Sequence, residues 1–291
     1  MFIATLIAAD RLSEADISTI AAQMDLCRVR EWRWLDAGSA ADIFFEEDVD
    51  FAWGVLDGYR DRADIVVQPA ANREKKLIVA DMDSTMITVE CIDELADYAG
   101  IKAQIAEVTE AAMRGELDFA EALDARVALL KGLGADAIDR CLAERVKLMP
   151  GARTLVQTMK ARRATAILVS GGFTRFAEPV GAQIGFDRVI ANELLIADDA
   201  LTGMVAKPIV DSSTKETTLL GAMAELGLSA DQTMAVGDGA NDLAMIGKAG
   251  LGVAYHAKPI VAAAAGARID HSDLTALLYA QGIARADWVI D

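Results

Sequence analysis

The rhythm of apolar and polar positions changes near residue 70 and divides the chain into two parts. An apolar run over Phe2 to Ala8 predicts a strand. Behind it, Ser13 with Asp16 three residues on has the spacing of a helix N-cap, and Ile17, Ile20, Ala21 and Met24 keep to one helix face. Cys27 to Leu35 then alternates polar and apolar residues, Ala37-Gly38-Ser39 turns the chain, and Ala41 to Phe45 returns as a partner strand. A second helical stretch, Val49 to Tyr59, precedes a short strand at Asp64 to Val67. The order β-α-β-β-α-β predicts a small α+β ferredoxin-like sandwich over residues 1–70, followed by a polar linker over 71–76.

From Leu77 the strands are short and continuously apolar, the form taken by strands buried on both faces of a parallel sheet. Leu77 to Ala80, Ala166 to Val169, Met234 to Val236 and Leu251 to Val253 all read this way, with helical stretches between them. That alternation predicts an α/β domain: a Rossmann-like open sheet covered by helices. Two stretches interrupt it. Residues 88–148 are helix-like with no strand, far more than a crossover needs, and Arg188 to Ala206 reads as a hairpin turning at Asp198-Asp199.

With 291 residues, 53% of them apolar and 25% charged, the chain is globular and able to build a real core. The formal net charge of −17 argues against nucleic acid and anionic lipid, and at first sight against any anionic substrate. Three scattered cysteines (Cys27, Cys91, Cys141) fit neither a disulfide framework nor a zinc cluster and are expected to be small buried residues. Only two histidines occur, which weakens a Ser-His-Asp triad or a His-rich metal site. No apolar run reaches the roughly 18 residues of a membrane span, and Phe2 to Ala9 lacks the basic start of a signal peptide. The expectation is a cytoplasmic protein without nucleic-acid or membrane partners.

Open α/β sheets bind ligands beyond the carboxyl ends of their strands. Asp81-Met82-Asp83-Ser84-Thr85 follows the first core strand, Ser170-Gly171-Gly172 the second, and Gly237-Asp238-Gly239-Ala240-Asn241-Asp242 the third. Each string alone has an ordinary structural reading. An Asp after a strand caps a turn, Ser-Gly-Gly is a loop, and a lone Lys215 is a solvated surface charge. The last string fails as a calcium loop because Ala249 stands where a bidentate Glu is needed. No Walker A loop is present either. The signal lies in the conjunction, in strand order.

Asp81-x-Asp83-Ser84-Thr85, Ser170-Gly171-Gly172, Lys215 and Gly237-Asp238-x-x-Asn241-Asp242 together resemble the four motifs of the haloacid dehalogenase (HAD) superfamily phosphatases. Longer strings are similar to the branch that acts on phosphoserine. They are Glu90-x3-Glu94-Leu95, Met113-x-Gly115-x-Leu117-x-Phe119, Arg126-Val127, Pro150-Gly151 and Gly237 to Met245. The resemblance covers about Leu77 to Ile283, and the amino-terminal module resembles an ACT-like domain.

The resemblance implies a HAD core over 77–291 with a helical cap inserted at about 88–148. It also implies Mg2+-dependent hydrolysis of O-phospho-L-serine to L-serine and phosphate, the last step of serine biosynthesis, through an aspartyl phosphate. Asp81 is then the nucleophile and Asp83 the acid and base. Mg2+ is held by Asp81, the backbone carbonyl of Asp83, Asp238 and Asp242. Ser170, Gly171, Gly172, Lys215 and Asn241 take the phosphoryl group. In the cap, Glu90 meets the ammonium, Arg126 the carboxylate, and Met113 with Phe119 forms an apolar wall. Two other readings stay open: a related phosphatase for another small phosphoester such as phosphothreonine, and a non-catalytic amino-acid-binding regulator. The apolar strands of the first module leave room for a homodimer through an intermolecular sheet. Residues 1–72 carry 14 acidic against 6 basic groups, a net −8, so about half of the molecule's negative charge lies outside the catalytic part.

Overall fold

The computed structural model describes residues 1–290, apart from the side chain of Met113. The first part folds in the expected order: β1 (Phe2–Ala8), α1 (Glu14–Gln23), β2 (Glu31–Asp36), β3 (Ala40–Phe45), α2 (Val49–Leu56) and β4 (Ala63–Pro69). Ser13 caps α1 and Asp16 returns the bond to the Ser13 N–H, a reciprocal pair that fixes where the helix starts. The strands lie antiparallel in the order β2-β3-β1-β4. Alternate residues such as Leu6, Ile43 and Ile65 pack with Ile17, Ile20 and Leu56 of the helices.

The second part begins with β5 (Leu77–Ala80), all four residues buried. Four helices follow: α3 (Cys91–Tyr98), α4 (Lys102–Met113), α5 (Phe119–Leu129) and α6 (Asp136–Arg145). Then come α7 (Ala152–Ala161), β6 (Thr165–Phe173), α8 (Thr174–Ile184), β7 (Arg188–Asn192), β8 (Leu194–Ala197), β9 (Ala200–Val205) and α9 (Ser212–Leu226). The chain ends through β10 (Thr233–Gly237), α10 (Leu243–Lys248), β11 (Leu251–Tyr255), α11 (Pro259–Ala264), β12 (Ala267–Ile269) and α12 (Ala276–Ala280). Six strands pair in parallel in the order β12-β11-β10-β5-β6-β7, which brings the carboxyl ends of β5, β6 and β10 side by side. All three cysteines are free and buried. Among the described residues no helix is long and apolar enough to cross a membrane.

Two features differ from the expectation. Arg188 to Asn192 is not the first arm of the hairpin but the edge strand of the core sheet, beside β6. The hairpin is confined to β8 and β9, turning at Asp198-Asp199 in left-handed conformations (φ 50° and 59°). Its apolar pattern runs on from β7 through a single intervening residue, so periodicity alone does not separate the two. The hairpin also joins the helical insertion, since Leu201 exchanges backbone hydrogen bonds with Gly132 and Leu133 at 2.8 Å.

The second feature is β12, three residues long and hidden behind an alanine run. It pairs antiparallel with β4 at Arg268 and Ile65, and so merges the two sheets into one of ten strands. The segment 71–76 is correspondingly not all solvated: the side chains of Arg73 and Lys75 are buried between the two parts. In the module β2, with Trp32 and Trp34, is the free sheet edge, because β4 is paired with β12.

Candidate active site

The site starts from a tight loop. The Asp81 N–H donates to the Val236 carbonyl at 3.0 Å, carrying the β5–β10 pairing one residue further. The N–H groups of Thr85, Met86 and Ile87 then all turn back to the Met82 carbonyl (3.2, 2.8 and 3.1 Å). Asp81 is thereby presented, buried, at the end of the central strand. Lys215 reaches it from the first turn of α9, whose N-cap Asp211 bonds the Thr214 N–H. The Lys215 ammonium, 1% exposed, donates to Asp81 Oδ1 at 2.5 Å and to Asp242 Oδ1 at 2.6 Å. Burial works against its charge, but the Asp81 and Asp242 carboxylates outweigh it and hold the ammonium more firmly protonated than a free lysine.

Carboxylates outnumber that cation. Asp242 is fully buried, and its Oδ2 accepts the Gly239 N–H at 3.0 Å. A side chain at position 237 would place its Cβ 2.3 Å from the Asp242 carboxyl carbon, so the approach requires glycine. Burial and the Asp81 charge push the Asp242 carboxyl up, against the pull of Lys215. Asp238 is pushed up to about 6 by burial, then by Asp81 and Glu90; the Thr85 hydroxyl donates to it at 3.3 Å. Oxygens of Asp81, Asp238 and Asp242 lie within 4.8 Å of one another. An all-oxygen, anion-rich set in which the Asp81 charge pushes the Asp238 and Asp242 carboxyls up suits a hard divalent cation, and HAD phosphatases generally use one.

Asp83 stands apart. Burial first, then the charges of Glu90 and Asp81, push its carboxyl up to about 8, while its Oδ1 accepts the Cys91 N–H at 3.3 Å. Burial and its anionic neighbours favour its neutral form. Two aspartates two residues apart thus differ in environment: one is salt-bridged, the other neutral.

The space in front of them is a cavity of about 500 Å3 between the core loops and the cap. Of the sequence-predicted residues, Asp81, Asp83, Glu90, Phe119, Arg126, Gly171, Gly172, Asp238 and Asn241 line it. Ser170, Lys215 and Asp242 are buried behind that wall, with Ser170 Oγ accepting the Gly172 N–H at 2.9 Å. Arg126 is half-buried on α5 and donates only through Nε, to the Ala122 carbonyl at 3.2 Å. Among the described residues its terminal nitrogens have no hydrogen-bond partner. Burial lowers its pKa, opposed by the charges of Asp93 and Glu90. Phe119 opens α5 behind the Asp118–Glu121 capping box, and its ring lies 3.1 Å from where a Cβ on Gly171 would sit. The Met113 side chain, expected in the same wall, lies outside the described residues.

Ser84, quoted in the first motif without a role, also lines the cavity, as do Asp93, Thr109 and Lys258, which the sequence reading did not single out. Lys258 was within reach of the sequence. It follows β11, a fourth core strand, and the rule applied to the ends of the other three would have found it.

The haloacid dehalogenase-like hydrolase family model matches residues 78–247. The chain is 48% identical over 215 residues to the phosphoserine phosphatase SerB2 of Mycobacterium tuberculosis, covering 74% of this chain but 52% of that one. It thus spans about half the length of that relative. It is 49% identical over 208 residues to a phosphoserine phosphatase of Polaromonas sp., covering 70% of this chain and 88% of that one. In three dimensions it is similar to a probable phosphoserine phosphatase of Vibrio cholerae in unliganded form, with TM-score 0.78 and 32% identity over 98% of this chain and 87% of the other.

Proposed function

The chain belongs to the haloacid dehalogenase-like hydrolases, and we propose that it hydrolyses O-phospho-L-serine to L-serine and phosphate through a phosphorylated Asp81. The observation that carries this reading is the contrast between Asp81 and Asp83. A carboxylate held by a buried ammonium at the end of the central strand is placed to attack phosphorus. A neutral carboxylic acid beside it can give its proton to the departing serine oxygen. Asp83, then ionised, takes a proton from the water that attacks the acyl phosphate, and Asp81 is regenerated. The names of the similar M. tuberculosis and Polaromonas chains support the substrate.

Asp81, Asp238 and Asp242, with the backbone carbonyl of Asp83, would hold Mg2+. When bound, that ion neutralises the carboxylates facing a phosphate dianion and polarises its oxygens. Lys215, Ser170 and the backbone of Gly171 and Gly172 place donors around the phosphoryl group, and Asn241 orients it. Glu90 and Arg126 receive the ammonium and carboxylate of the substrate, and Phe119 shields the reaction from water. In this reading residues 1–70 form the ACT-like module, 71–76 the connection, and 77–291 the catalytic unit with its cap at about 88–148. The locally positive groups and the metal make a small dianion compatible with a molecule of net charge −17.

The test is to acid-quench the enzyme during turnover of phosphoserine with Mg2+ and map the modified peptide by mass spectrometry. Phosphate is expected on Asp81, and none in Asp81→Asn. Undiminished phosphate release by Asp81→Asn would refute the covalent route.

A further inference from the structure

The loop between β5 and α3 holds a hydroxyl that the chemistry above does not use. Ser84 lines the cavity in a left-handed conformation, φ 55°, which a residue other than glycine keeps only when its surroundings impose it. Two hydrogen bonds impose it. The Ser84 N–H donates to the Val89 carbonyl at 3.3 Å, and Ser84 Oγ donates to Glu90 Oε1 at 2.7 Å. Glu90 is the N-cap residue of α3, yet its side chain caps nothing. Among the described residues Ser84 is the only hydrogen-bond partner of that carboxylate. An exposed glutamate otherwise samples several rotamers, and binding a ligand to it costs the entropy of selecting one.

We propose that Ser84 is a positioning residue for ammonium recognition: its hydroxyl holds one oxygen of Glu90 so that the other stands free toward the cavity. The proposal rests on the reading of Glu90 as the acceptor of the substrate's ammonium. It assigns the left-handed turn a purpose in specificity, because in that backbone conformation the hydroxyl of residue 84 meets a side chain six positions later. It also limits the effect to binding. In the proposed chemistry the phosphoryl group meets Asp81 and Lys215, and the Ser84 hydroxyl bonds Glu90 rather than either of them.

The test is steady-state kinetics of Ser84→Ala and Ser84→Gly on O-phospho-L-serine and on 3-phosphonooxypropionate, the same skeleton without the ammonium. Both variants should raise KM for phosphoserine about tenfold and leave kcat within about twofold, with the deaminated analogue unaffected. Glycine accepts the backbone conformation without strain, so Ser84→Gly carries the test even where Ser84→Ala folds poorly. Equal losses on both substrates, or an unchanged KM for phosphoserine in Ser84→Gly, would overturn the proposal. Glu90→Gln separates this from the parent reading. If it abolishes discrimination between the two substrates while Ser84→Gly keeps it, only the role of Ser84 falls. If Glu90→Gln leaves discrimination intact, the ammonium reading falls and takes Ser84 with it. In the Glu90→Gln background, Ser84→Gly should add nothing further.

Discussion

Two buried ionic clusters in this molecule are built from the same kinds of group and behave in opposite ways. Between the module and the core, Arg73 donates to both oxygens of Asp42 (2.6 and 2.7 Å), to Thr5 Oγ1 (2.8 Å) and to the carbonyls of Tyr279 and Ala280 (3.0 and 2.9 Å). Thr5 in turn donates to Asp42 at 2.9 Å. The exposed Arg33 lies 3.8 Å from the same carboxylate, so two guanidinium groups face one buried anion. At the ends of β5 and β10, one ammonium meets Asp81 and Asp242, with Asp238 alongside and Asp83 kept neutral. The first cluster leaves its buried anion compensated, the form in which a buried charge is tolerated. The second carries more carboxylates than cations, the charge balance of a site suited to a divalent cation.

Removing the cation from each gives the sharpest contrast. Lys215→Met should lower kcat/KM for phosphoserine by about 10^3-fold or more, as loss of a donor aimed at developing charge does. Arg73→Met leaves buried Asp42 only Thr5 and the more distant Arg33, and should cost about 3–5 kcal/mol of stability, read by urea unfolding, with kcat at 25 °C within about twofold. Comparable losses of kcat in the two variants would end the distinction.

Removing an anion should reverse the sign of the stability effect. Burial, then the charges of Asp81 and Glu90, push the Asp238 carboxyl up to about 6 in the folded protein, from an ordinary 3.8. Such a group binds more protons folded than unfolded, so its contribution falls as pH rises from about 4 to 6 and stays unfavourable above that. The penalty at pH 7 is about 1–3 kcal/mol, discounted for its partial exposure. Asp238→Asn should therefore raise the Tm of the metal-free protein at pH 7 while lowering activity by at least about 10^2-fold. Asp42→Asn should lower Tm. A metal-free Asp238→Asn protein less stable than the parent would count against surplus charge.

The same surplus links metal to pH. Protons and a divalent cation compete for Asp238 and Asp242, so the Tm gain from added Mg2+ should be large at pH 7.5 and shrink toward pH 5. Arg73→Met should keep the full gain, since its cluster holds no surplus charge. A Mg2+ effect independent of pH would place the ion elsewhere.

These two clusters were unequally legible in the sequence. Asp81, Asp83, Asp238 and Asp242 announce themselves because short apolar strands end directly before them, and strand ends converge in a parallel sheet. Arg73 and Asp42 carry no such mark. Their partners include the backbone carbonyls of residues 279 and 280, and no periodicity or spacing reports a carbonyl two hundred residues away. The sheet merger through β12 was hidden for the same reason: a three-residue strand is defined by what it pairs with, not by its composition. Ser13, by contrast, was readable because a cap and its partner lie three residues apart. Local chemistry was visible; long-range closure was not.

The comparison narrows finally to two arginines. Arg73 spends its guanidinium on the fold, whereas Arg126 keeps its terminal nitrogens free of hydrogen-bond partners among the described residues, facing the cavity with Asp93 and Glu90 nearby. A planar fork left open suits a substrate carboxylate, which it can engage with two parallel bonds. Arg126→Ala strands no hydrogen-bonded carboxylate, so its cost in stability should stay below about 1 kcal/mol, well under that of Arg73→Met. Its KM for phosphoserine should rise about 10–100-fold, while KM for p-nitrophenyl phosphate, which lacks the carboxylate, should change little. Arg126→Lys should recover only part of the loss, because an ammonium keeps the charge without the fork. Equal increases for both substrates would mean that Arg126 acts on the phosphate, and would return the carboxylate to another group in the cavity, of which Lys258 is the cation at hand.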